Sequence, residues 1–207
     1  SIWRVIISTF TFVQAPFSVH AEVSIGESAM RDSARFHFGF VVPYVSHFSA
    51  QAAVEAVAKS KGDLALVPAM SSRTPWWIAL EAEGAPKIIA RWPFLERADH
   101  PAALPVFVVS RVADSAMVTE VETWSVRVSG WNAETARALS PLAEIVAVPD
   151  AAFDGAALLV SVSGASNLDK IRSALVEAGA SVRSSALVGS HATRYTVPPN
   201  GAARPQK

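Results

Sequence analysis

The 207-residue chain has no cysteine. Disulfides and thiol catalysis are therefore excluded, and cysteine usage leaves the compartment open. It also lacks an excess of either charge, with 18 Lys plus Arg against 18 Asp plus Glu. That balance gives no electrostatic case for nucleic acid or an anionic membrane surface. No apolar run approaches the roughly 20 residues that a membrane-spanning helix needs. Histidine is sparse, at five residues, and none stands at convincing metal-ligand spacing from another His, Asp or Glu. Glu96, Asp99 and His100 come nearest, so no metal and no cofactor is expected. What is present is a chain 51% hydrophobic and 17% charged. It has enough apolar side chain for one large or two small packed domains, and too much for wholesale disorder.

The first stretch, Ile2 to Phe17, places Trp3, Ile7, Phe10 and Gln14 at helical spacing, with Ile2, Ile6 and Val13 beside them. Pro16 ends the pattern because it lacks an N–H and disfavours helical geometry at the residue before it. The β-branched cluster Val5, Ile6, Ile7 and Thr9 argues for a strand instead; the spacing favours the helix. The same stretch mimics a secretory leader, with Arg4, an apolar core over Val5 to Val13, and a cleavage point after Ala21. Ser8, Thr9 and Thr11 weaken that core, and a cytoplasmic location is expected.

Further on, strands and helices alternate. Strands are expected at Phe17 to Val23, Phe40 to Tyr44 and Asp63 to Val67, with Pro68 closing the last. Helices are expected at Ser28 to Phe38, which Gly39 ends, and at His47 to Ser60. That order implies βαβ units around a parallel sheet. Trp76, Trp77 and Trp92 with Arg73, Lys87 and Arg91 form the most distinctive local composition. One reading is a ligand-binding rim where cations meet a carboxylated aromatic ligand. The other is a Trp-rich helix over Trp76 to Glu83 that caps the sheet, which the dominance of aromatics in core burial favours.

After a boundary at Ala113 to Ala116, the chain predicts strand Thr123 to Ser129, helix Ala133 to Leu139 and strand Ala143 to Val148. Strand Ala157 to Ser163, helix Leu168 to Ala178 and strand Ser181 to Leu187 come next. This βαββαβ order is that of the ferredoxin-like split βαβ unit. Asn167 can cap the second helix, Asp169 suits its first turn and Gly179 ends it.

Several of these residues carry a resemblance. IWRVIISTFTFVQAPFSV resembles the end of the third helix of α-helical chorismate mutases, with Arg4 and Gln14 at matching positions and Val5 departing from a usual Glu. Gly62, Asp63 and Pro68, and Phe38-Gly39, resemble tags of the prephenate-dehydratase lobe, which is similar to solute-binding folds. Gly164-Ala165, before Asn167, resembles the effector loop of ACT domains. The resemblance implies a division into the end of a mutase-type helix (1–16), a dehydratase-like α/β lobe (17–112), an ACT-like ferredoxin-like domain (118–197) and a disordered tail (198–207). It implies Gln14 as a remnant catalytic amide. Arg73, Trp76, Trp77, Arg91, Gly164 and Asn167 become ligand-binding candidates. Pro105 stands where the dehydratase has its catalytic Thr, so dehydration of prephenate is not expected.

The function implied is a non-catalytic or regulatory region in aromatic amino acid biosynthesis. Two alternatives stay open: an active chorismate mutase of which this chain is part, and a solute-binding-like protein for an aromatic acid. Expected partners are an aromatic acid or amino acid, a mutase helical bundle and a second copy in a homodimer, with no nucleic acid and no membrane.

Overall fold

Alternation of short apolar strands with amphipathic helices produces a mixed α/β architecture around one large sheet. The computed structural model describes residues 2–70, 74–97, 100–111, 120–148, 155–163, 166–197 and 204–205. Helix α1 runs Ile2–Gln14 and stops two residues before Pro16. Strand β1 (Val19–Glu22), helix α2 (Glu27–Phe38), strand β2 (Tyr44–His47), helix α3 (Ala50–Ala58) and strand β3 (Leu64–Pro68) come next. A 3₁₀ turn at Trp76–Leu80 leads to β4 (Lys87–Trp92), β5 (Leu95–Glu96) and β6 (Val106–Ser110). The remainder comprises β7 (Val121–Ser129), α4 (Ala133–Leu139), β8 (Glu144–Ala147), β9 (Ala156–Ser163), α5 (Leu168–Glu177), β10 (Ser181–His191), β11 (Tyr195–Thr196) and β12 (Arg204–Pro205).

Nine strands form one sheet in the order β2-β1-β3-β6-β4-β10-β7-β9-β8. The β2-β1-β3 edge is parallel. The expected purely parallel first lobe does not form, because β6 runs antiparallel to both β3 and β4. The cause is β4, an additional strand that lets the chain return without a crossover helix. In the other half, β10-β7-β9-β8 is antiparallel at every junction, with α4 and α5 on a single face. The halves do not separate into two sheets. They join where β10 lies parallel to β4 at the register pair Gly189–Ile88. Gly189 has φ 154°, and a Cβ there would meet the Ile88 carbonyl oxygen at 2.2 Å. Only glycine permits that approach.

Helix ends obey local chemistry. Ser49 caps α3 by accepting the Ala52 N–H at 3.2 Å. Asn132 and Thr135 form a capping box on α4, and Asn167 caps α5 by accepting the Lys170 N–H at 3.0 Å. The second strand is displaced from its expected place. Phe40 and Val41 are exposed turn residues, and pairing with β1 begins only at Tyr44, after Pro43 has removed one donor from the chain. The Trp-rich helix is a single 3₁₀ segment, Trp76–Leu80. In the tail expected to be unstructured, Arg204–Pro205 pairs antiparallel with Tyr195–Thr196.

The core divides by sheet face. Buried Ala53, Val54 and Val57 of α3 pack with Trp77, Leu80, Ile88 and Phe107 on one face, and the same cluster reaches Leu159 and Val188. On the other face, Met30 and Ala34 of α2 cover Val19, Ala21, Leu66 and Val108. Ile171 and Leu175 of α5 cover Val126, Leu158 and Val160. Each such fully buried aliphatic contributes about 1.5–3 kcal/mol. Helix α1 is different: Trp3, Ile7, Phe10 and Val13 are 62–72% exposed, while Phe12 reaches inward, edge-on to Phe17 at 6.2 Å.

Candidate functional site

A hollow of about 790 Å³ lies on the face of the sheet opposite α4 and α5. Arg91 of β4, Ser161 and Ser163 of β9, His191 at the end of β10 and Arg194 line it, and residues 140–143 after α4 with Glu144 and Ile145 at the start of β8 form its wall. The strand register explains why polar side chains gather here. His191, Val121 and Ser163 lie in one cross-strand row, and Gly189, Thr123 and Ser161 in the next. The alternation that turns Val126, Val160 and Leu158 toward α5 turns Thr123 and Ser161 the other way.

Arg91 is buried, and its Nη1 and Nη2 donate to the two Glu144 carboxylate oxygens at 2.5 and 2.7 Å. Its guanidinium also lies 5.4 Å from the centre of the Phe107 ring. Arg194, also buried, donates from Nε to the Pro93 carbonyl at 3.4 Å and pairs with Glu96. Burial, and then Arg91, bring its pKa down to about 10, so it stays cationic at neutral pH. His191 is 2% exposed. Its Nδ1 lies 2.8 Å from the Ala192 carbonyl, which accepts only, so Nδ1 carries the proton and Nε2 the lone pair. Burial pushes the imidazole below its ordinary pKa. The Ala192 carbonyl opposes that shift, Arg91 reinforces it and Glu144 opposes it. A neutral histidine results.

Four side-chain atoms in this neighbourhood are buried without a hydrogen-bond partner: Arg91 Nε, His191 Nε2, Ser161 Oγ and Thr123 Oγ1. Buried polar atoms are nearly always paired. A donor and a basic acceptor left over together are therefore suited to a polar ligand.

A second polar constellation lies at the parallel edge. His20 Nε2 is 3.2 Å from Asp63 Oδ2, and His20 Nδ1 is 2.9 Å from His47 Nε2. Asp63 Oδ1 also accepts the Ser18 N–H at 2.7 Å. With the carboxylate accepting from His20, His47 must donate in turn, leaving its Nδ1 as the acceptor end of the relay. Burial, and then His20, lower the His47 pKa. None of the three residues lines the hollow. Among the described residues no group of three or more metal-ligating side chains could hold a metal ion.

The residues singled out from the sequence are spread over the fold. Gln14 is exposed at the end of α1, away from the hollow. Trp77 is fully buried in the core, and Trp76 lines a separate cavity. Trp92 stacks on His37 at 3.8 Å and packs with the α2-side cluster, so the three tryptophans share no rim. Lys87 donates to the Leu80 carbonyl at the end of the 3₁₀ turn. Asn167 acts as a helix cap. Arg73 and Gly164 lie outside the described residues. Arg91 lines the hollow, beside His191, Arg194, Ser161 and Glu144, which sequence reading did not single out.

No known protein family matches the chain, and no curated protein resembles it in sequence. Among solved structures it is similar to GqqA, described as a novel type of quorum-quenching acylase. That match has a TM-score of 0.50 and 13% identity, covering 84% of this chain and 94% of that one. At that identity the likeness concerns the fold. The chorismate mutase resemblance and the aromatic-biosynthesis function drawn from it are corrected by these results. No family supports them, and the structural likeness is to an acylase. The physical reason is that short tags such as Gly62-Asp63 and Phe38-Gly39 mark ordinary strand and helix ends, which unrelated α/β chains share. No helix among the described residues is long and apolar enough to cross a membrane.

Proposed function

We propose that this chain is an acylase-type hydrolase that cleaves the amide or ester of a small acyl compound in the Arg91–His191 hollow. The observation that carries the reading is the pairing of two unused groups in one buried place: the His191 Nε2 lone pair and the Arg91 Nε–H. Hydrolysis needs a base for water and a donor for the oxyanion. Water would attack the carbonyl carbon while His191 Nε2 takes its proton. The carbonyl oxygen, now negative, would sit against the guanidinium of Arg91. Collapse would expel the amine or alcohol, which takes the proton back from His191, leaving a carboxylic acid product. Arg194, still cationic, would hold a carboxylate or other anionic end of the substrate. The acylase named in the solved structure of similar fold supports the same reaction class.

On the fold itself, the β10-β7-β9-β8 order supports a ferredoxin-like unit of ACT-like kind within the sheet. The parallel β2-β1-β3 edge with its flanking helices supports a lobe of solute-binding type.

The test is release of free acid and free amine from a panel of N-acyl amines, N-acyl amino acids and acyl esters, quantified by mass spectrometry. Turnover by the wild type, and its loss by at least about a hundredfold in His191→Gln, is expected for a general base. No release from any member of the panel, or an unchanged rate in His191→Gln, would overturn the assignment.

A further inference from the structure

A second cavity, of about 520 Å³, opens where the parallel strand order reverses around β1. Chains of this topology bind ligands in the crevice beyond the carboxyl ends of such strands. Glu22 at the end of β1, Pro68 at the end of β3, Phe48, Met70 and Trp76 are among its lining residues. We infer that this cavity binds a primary ammonium group attached to an apolar body of aryl size, with Glu22 as its counter-ion.

The argument starts from Glu22, which is 5% exposed. Its Oε1 accepts the Ser24 N–H at 2.8 Å. No ion pair joins it to a cation among the described residues. The histidine in register with it on β2 is His47, whose Nε2 is engaged with His20 at 2.9 Å. A carboxylate has about four lone-pair sites, and an ammonium brings three donors. A carboxylate held this far from water is stabilised by a cation that docks beside it.

The remaining wall suits the body of such a ligand. Trp76 is 4% exposed and held edge-on against Trp77, with ring centres 6.0 Å apart. It therefore presents a fixed aromatic wall to the cavity. Phe48 is 90% exposed, Ile25 45% and Met70 40%. These three form an apolar mouth that a ring could cover. No Lys or Arg lines the cavity among the described residues, and Ser49 Oγ is already taken by the α3 cap. Among the described lining residues Glu22 is the only ionisable side chain here, whereas the other hollow carries Arg91, Arg194 and Glu144, and the assignment does not depend on the proposed hydrolysis.

The experiment compares 2-phenylethylamine with 3-phenylpropionate, two probes of similar shape and opposite charge, by calorimetric titration of the full chain. Amide shift perturbation in the labelled protein locates the binding. The amine should bind and shift Ser24 and Phe48, and the acid should leave those amides unmoved. Glu22→Gln, checked for an unchanged circular dichroism spectrum, should weaken the amine by about tenfold or more, as loss of a desolvated charge partner does. Phe48→Ser changes a fully displayed side chain and leaves the core intact, and should weaken it several-fold. His191→Gln, far from this cavity, should leave amine affinity and the Ser24 and Phe48 shifts as in the wild type. Equal perturbation of Ser24 and Phe48 by the acid, amine binding unaltered in Phe48→Ser, or no shift at those amides would overturn the assignment.

Discussion

Removing either partner of the Arg91–Glu144 pair deletes the same two hydrogen bonds, yet the two deletions should differ in cost. The Arg91 side chain is 5% exposed and Glu144 44%. In Glu144→Ala the guanidinium stays in place with both Nη groups unpaired, over the Phe107 ring and close enough to Arg194 to depress its pKa. Breaking a buried pair in this way costs about 3–5 kcal/mol. Water entering the half-open Glu144 position should bring that down to about 2–3 kcal/mol. In Arg91→Met the buried cation is replaced by a flexible apolar chain, and Glu144 is left where water can solvate it. The cost should stay within about 1 kcal/mol. For a domain of this size 1 kcal/mol moves the melting midpoint by about 2–4 °C. Glu144→Ala should therefore fall by roughly 4–12 °C and Arg91→Met by less than about 4 °C. Urea titration with both slopes checked is the assay. The double variant should match Arg91→Met. If Arg91→Met proves at least as destabilising as Glu144→Ala, the buried-charge reasoning fails, and with it the view that Glu144 exists to hold the guanidinium in the hollow.

Both His191 and His47 have folded-state pKa values below the ordinary 6.5. The unfolded chain therefore binds more protons in the window beneath 6.5, and stability should be fully present above it and fall as pH drops through the folded values. A urea midpoint series from pH 7.5 to 4.5, flattened in His191→Phe, checks this. Gly189→Ala should destabilise by about 3 kcal/mol or more, because its Cβ would overlap the Ile88 backbone in a conformation L residues avoid; soluble yield and melting midpoint report it. Asn132→Ala should remove about 1 kcal/mol through loss of the α4 cap, read by the same urea assay.

The second half of the chain was legible because its signals are local. Asn167 and Gly179 punctuate a helix by chemistry that acts within one turn, and α5 falls where those residues place it. Val126 to Ser129 and Val160 to Ser163 alternate apolar and polar side chains at the period of a strand. β4 was missed because Lys87–Trp92 mixes two cations and a tryptophan with only two isoleucines. Its strand character comes from pairing with β6 and β10. The hollow was less legible still. Arg91 stood out only for its tryptophan neighbours, whereas its partners Glu144 and His191 lie 53 and 100 positions away. The His20–His47–Asp63 relay likewise joins β1, β2 and the residue that leads into β3. Spacing along the chain carries no trace of it, because adjacency across β2-β1-β3 creates it.

Among the described residues the Gly189–Ile88 contact is the only register pair by which β10 meets β4, yet Arg91 and His191 stand on opposite sides of that seam. Any substrate held by both therefore adds one more tie between the halves of the sheet. Empty, the halves are already tied by the Arg91–Glu144 pair and by the core cluster that runs from Ile88 and Phe107 to Leu159 and Val188, so they would share one transition, which a filled hollow would raise.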